Sequence, residues 1–147
     1  MSQSKYPLGA KLLLAASAAL LLAAVFHLVG YATATLGLDN SSLVPELKSS
    51  FRALWFGVSL QDAVIALLLV LAAVRPASVS SAAVVLCSLL PLLQGTLLFV
   101  LAGSTVNLWL TGAAAVLAIA GVALLGGGRA APPHADARGA LSAHRTR

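Results

Sequence analysis

The chain has 147 residues, of which 60% are hydrophobic and only 9% charged, and its mean hydropathy is +0.99. Soluble domains carry about 25% charged residues, so a water-soluble globular fold is excluded, and so is disorder over the bulk of the chain. The net charge of +5 comes from basic residues outside the apolar runs, where they orient a membrane chain, so nucleic acid is not an expected partner.

Four apolar stretches follow in order, over residues 12–36, 53–74, 82–101 and 106–125. Each reaches the roughly 20 residues that a bilayer-spanning helix needs. None shows the alternation of a membrane β-strand. The expected fold is an all-α integral membrane four-helix antiparallel bundle over residues 12–125. A short N-terminus, residues 1–11, precedes it. A disordered tail, residues 126–147, follows it, with Gly126-Gly127-Gly128, Pro132-Pro133 and scattered Arg and His.

Charge sets the orientation. Lys5 and Lys11 precede the first span, Arg75 lies between the second and third, and Arg129, Arg138, Arg145 and Arg147 follow the fourth. The other side holds only Lys48 and Arg52, near Asp39 and Glu46. Both termini are therefore expected in the cytoplasm. A competing reading takes Lys11, the run 12–26 and Ala32-Thr33-Ala34 as a secretory signal peptide. That run is longer than a signal core needs, which favours an uncleaved first helix.

The segment 37–52 is the sizeable connection. Asp39-Asn40-Ser41-Ser42 is turn chemistry, and Pro45 suits the first position of a helix. Val44, Leu47, Phe51 and Leu54 then recur at helical spacing, so this segment is expected to lie along the interface ahead of the second span. Residues 103–105 form a tight hairpin between the third and fourth.

Polar residues inside the spans are the candidates for function. His27 and Asp62 are the ionisable ones, and Gln61 and Gln94 add uncharged polarity. Measured from the span ends, His27 and Asp62 each lie roughly 13 Å deep and Gln94 roughly 10 Å. They are expected to share one level, with His27 the partner of Asp62. Arg52, Trp55, Ser59 and Asp62 form one helical stripe, continued by Ala66, Leu69 and Ala73. A second stripe runs Ala15, Ala19, Ala23, His27, Tyr31, and a third Asn107, Thr111, Ala114, Ala118, Gly121. The candidate membrane site is thus His27, Asp62, Gln94, Trp55, Ser59 and Arg52. Each has a plainer role too: Trp55 as an interfacial anchor, Arg52 snorkelling to head groups, Gln94 as interhelical glue.

No phosphate loop, metal-ligand spacing or nucleophile elbow is present. His134 and His144 are too isolated for a metal site, Cys87 is a lone buried thiol, and no cofactor is expected. Three functions remain open. The first is a structural or accessory membrane component, in contact with the bilayer as a homodimer or within a larger complex. The second is a site for a lipid, quinone or other hydrophobic small molecule, with His27 and Asp62 as an acid–base pair if it is an enzyme. The third is a dimeric proton-coupled transporter with Asp62 as the coupling carboxylate. Enzymatic activity is the less expected outcome.

The run Phe26-His27-Leu28-Val29-Gly30, then Val44-Pro45 and Phe51-Arg52-Ala53-Leu54-Trp55, resembles small four-span bacterial membrane proteins of the broad DoxX-like neighbourhood. The resemblance covers the first half of the chain. It implies four helices and a bacterial inner membrane, and it implies no substrate and no functional residue.

Overall fold

The computed structural model describes residues 7–103 and 106–127. The tail beyond Gly127, including its histidines and arginines, lies outside the described residues, as do residues 104–105 of the expected hairpin. The described chain forms four α-helices: α1 Leu8–Asp39, α2 Pro45–Val74, α3 Ser81–Ala102 and α4 Val106–Gly127. The all-α antiparallel bundle is the fold. α1, α2 and α4 are long and apolar enough to cross a membrane, and α3 carries the shorter apolar run Ser81–Leu97.

Local chemistry sets the helix ends. α1 stops at Asp39, where the Lys48 ammonium donates to the backbone oxygens of Asp39 (2.9 Å) and Ser41 (3.0 Å). A cation there opposes the negative end of the helix dipole and satisfies orphan carbonyls. Pro45 opens α2 with Glu46 in its first turn, both favourable at a helix N-terminus. Pro76 follows the end of α2, where Arg75 is the C-cap. The Ser80 hydroxyl caps α3 by accepting from the Ala83 N–H at 3.1 Å. Gly103 closes α3 at φ +82°, a conformation that glycine adopts without steric cost.

α2 differs from expectation at its start. The segment 45–52 does not lie apart along an interface. It forms the first turns of α2 itself, which runs unbroken to Val74. The five-residue connection Asn40–Val44 therefore closes the α1–α2 hairpin.

Packing is uneven. α1 packs extensively against α2 and α4, α3 lies on α4, and α2 touches α3 only lightly. The core holds Leu13, Ala16 and Leu20 of α1, Ala66 and Leu69 of α2, Val84 of α3, and Ala114 and Ala118 of α4. Small side chains dominate because lipid supplies no hydrophobic drive for helix association, so close approach must do the work. At the α1–α4 crossing, a Cβ on Gly9 would stand 2.6 Å from the Gly121 carbonyl oxygen, and one on Gly121 would stand 2.9 Å from the Gly9 oxygen. Around this core the large apolar side chains face outward, Val29, Leu60, Leu67 and Leu93 among them. A soluble protein does not expose an apolar shell of that extent.

The inward stripes on α2 and α4 are as expected, with Ser59, Asp62, Ala66, Leu69 and Ala73 buried on one, and Thr111, Ala114, Ala118 and Gly121 on the other. α1 departs. Ala15 is exposed, and the buried row is Leu13, Ala16, Ser17, Leu20, Ala23 and Ala24. A strict every-fourth-residue stripe drifts about 40° per step around a helix of 3.6 residues per turn, so it cannot stay on one face over five members.

The hairpins also differ in reach. Gly9 and Gly121 are level, and from there α1 rises about 45 Å to Asp39 while α4 extends about 22 Å back to Val106. The α1–α2 hairpin therefore overhangs the α3–α4 hairpin by about 20 Å.

Candidate functional site

The polar residues singled out in the sequence fall into two tiers. The upper tier sits on α1 and α2. The Trp55 indole Nε1 donates to the His27 backbone oxygen at 2.7 Å, and its ring stacks on the imidazole with centroids 4.4 Å apart and planes 18° apart. One turn toward the hairpin, the Arg52 guanidinium is ion-paired and hydrogen-bonded to the Asp39 carboxylate. Tyr31 packs on Phe56 at 4.6 Å. A small apolar cup of about 80 Å³ opens between these helices, lined by Tyr31, Leu38, Phe51, Arg52 and Trp55 among others. Ser59 is buried one turn below Trp55, and its hydroxyl turns back to the Trp55 carbonyl at 3.5 Å.

The lower tier joins α2 and α3. The Gln61 amide donates to Gln94 Oε1 at 3.3 Å, bridging the helices that otherwise touch lightly. Beside it Asp62 is 1% exposed. Its Oδ1 has no hydrogen-bond partner among the described residues, and the same holds for His27 Nε2 and Asn107 Oδ1. An ionised carboxylate within a membrane helix costs at least roughly 2.5 kcal/mol unless paired or wetted.

The expected His27–Asp62 pair is not formed. No ion pair or hydrogen bond joins them among the described residues. Trp55 holds the level of His27, and Asp62 lies seven residues further along α2, about 10 Å away. Span ends at 36 and 53 would put the two level. The hairpin instead turns at Asn40–Val44, which shifts α1–α2 pairing by about five residues, or about 7 Å. Of the six candidates, Trp55 is brought to His27 and Ser59 to Trp55. Gln94 is brought to Gln61, while Arg52 is turned to Asp39.

Sequence reasoning did not place Asn107 in the site, although it heads the α4 stripe. The signal was its position as the polar head of that inward row. The Tyr31–Phe56 pair had no local signal, because ring contacts between helices depend on register.

Outside these tiers, an apolar groove of about 910 Å³ runs between α1 and α2, walled by Leu21, Val25 and Leu28 on one side and Phe56, Leu60 and Ala63 on the other. No group of three or more His, Cys, Asp or Glu side chains gathers among the described residues.

The bundle, its apolar shell and its buried polar tiers define an all-α membrane protein. No family model, curated protein or solved structure matches the chain.

Proposed function

We propose that the chain is a structural or accessory component of a bacterial inner membrane, a multi-pass protein with both termini on the cytoplasmic side. The observation that carries this reading is where the candidate polar groups are spent. Trp55 bonds α2 to α1 through the His27 carbonyl, Gln61 bonds α2 to α3 through Gln94, and Arg52 pairs with Asp39 across the hairpin. Side chains used as interhelical bonds are not free to hold a substrate. The orientation rests on Lys11 and Arg75 at one end against Lys48 and the Asp39-paired Arg52 at the other, and the setting on the DoxX-like run in the first half.

The test is native mass spectrometry of the full chain from mild detergent, with His27→Gln and Trp55→Phe alongside. The accessory reading expects a second copy or a stoichiometric partner, retained in each variant in proportion to its folded fraction. A bare chain carrying a small ligand that fully folded variants lose would overturn it. Cysteine labelling from outside the cell, at position 42 in a Cys87→Ser background, checks the orientation.

The α1–α2 groove favours a second reading. Its volume, apolar walls and single buried hydroxyl at Ser59 have the character of a site for a lipid or quinone. The same spectra separate the two, because this reading expects a bound apolar molecule that is displaced by Ala63→Phe.

A further inference from the structure

The inward faces of α1 and α2 run on past the helices that cover them. On α2, Asp62, Ile65 and Leu69 are buried. The same row, stepping three or four residues at a time, continues through Val58 to Leu54, Phe51, Leu47 and Val44, and these last four are each 47–66% exposed. α1 behaves alike. Its buried residues Leu13, Leu20 and Ala24 share a face with Tyr31, Ala34 and Leu38, which line the 80 Å³ apolar cup together with Phe51 and Trp55. Counted from the Gly9–Gly121 crossing and the Trp55–His27 bond, α4 begins about level with Val58. The row thus becomes exposed where its cover stops, without a change of side-chain type. Above that level stands the outer half of the α1–α2 hairpin, about 20 Å long, as two helices of a bundle whose other two are missing.

The surroundings narrow the occupant. The opposite face of α2 changes from Leu67, Val64 and Leu60 in the deeper turns to Ser50, Ser49 and Glu46 in the upper ones. A helix in hydrocarbon is apolar all round, so these upper turns stand outside it and lipid tails do not cover the row. A second copy in the same orientation is blocked sterically. Its α1 and α2 also run unbroken through the membrane, so seating its hairpin on this face would drive its lower turns into α3 and α4. We infer that the inward side of the overhang is a docking platform for an amphipathic helix of another protein, about four turns long, on the membrane side opposite Lys11 and Arg75. That helix continues the layer that α3 and α4 supply below. It lays apolar residues at i, i+3, i+4 and i+7 on Leu47, Phe51 and Leu54, with one side chain in the cup. The inference rests on the accessory reading and adds where the partner binds and what it presents.

The test is photo-crosslinking of the full chain in the cells that make it, with benzoylphenylalanine at position 47, 54 or, on the opposite face, 50. Positions 47 and 54 are two turns apart, so their adducts should fall on one partner protein about seven residues apart, within a stretch of apolar residues at helical spacing. Position 50 should give no such adduct. Leu47→Ser combined with Leu54→Ser alters side chains that are already about half exposed or more, so the unfolding midpoint should stay unchanged while the partner peak is lost from the native mass spectrum. No adduct at 47 and 54, adducts to lipid or to a second copy, the same adducts from position 50, or partner sites without that spacing would each overturn the platform. A stoichiometric partner that the folded double variant retains would overturn the platform and leave the accessory reading standing. A bare wild-type chain would overturn both.

Discussion

Trp55 and His27 are joined twice, through the indole N–H to the His27 backbone oxygen at 2.7 Å and through ring stacking at 4.4 Å. The contact is made to the helix backbone, so it fixes the axial register of α1 against α2 whatever the imidazole does. It also holds the imidazole against an indole and away from the acid on the next tier.

The two halves of this contact separate by substitution. Trp55→Phe keeps a ring to stack and loses the donor, so it should cost about 0.6–1.7 kcal/mol, the average and the upper end for interhelical hydrogen bonds in membrane bundles. Trp55→Ala should cost more than Trp55→Phe, since it also loses the ring. Unfolding in mixed micelles, followed by circular dichroism, reads both. Equal losses in the two variants would mean that the stack contributes nothing.

The α1–α4 crossing has no room for a side chain. Gly9→Val should destabilise by about 1–3 kcal/mol, the cost of overpacking, because even a Cβ meets the Gly121 oxygen at 2.6 Å. A Cβ on Gly112, by contrast, would have nothing within 4 Å. Gly112→Ala should therefore stabilise, by up to about 1 kcal/mol from helix propensity. Opposite signs for the two variants in one unfolding assay are the expected outcome.

The Gln61–Gln94 bridge is long, at 3.3 Å, and joins side chains that are only partly buried. Its coupling energy in a double-mutant cycle with Gln61→Leu and Gln94→Leu should be about 0.6 kcal/mol. A coupling of zero would mean that the bridge is not formed in the bilayer.

The Arg52–Asp39 pair is conspicuous but exposed, with side chains 39% and 52% accessible. Asp39→Asn should change stability by at most about 1 kcal/mol, and the change should shrink as salt is added. Lys48→Met should cost more than Asp39→Asn, because Lys48 closes the C-terminal end of α1 through two backbone oxygens. The same unfolding assay, run at low and high salt, ranks them.

Much of this protein is determined by its sequence alone. Composition dictates a membrane protein, and the absence of strand alternation makes its spans helices, which satisfy the backbone within each segment in lipid. The inward rows on α2 and α4 are legible too. Ser59, Asp62 and Ala66, and Thr111, Ala114 and Ala118, recur near the helical period and stand out as polar or small among leucines. Tertiary structure alone decided which residues meet. The turn at Asn40–Val44 and the continuous start of α2 set the register of the long hairpin. They bring Trp55 to His27 and leave Asp62 about 10 Å deeper. A span's hydropathy fixes its membership of the bilayer to within a turn or two. A hydrogen bond needs register within a fraction of a turn, and only the packing of glycines, caps and rings across helices supplies that.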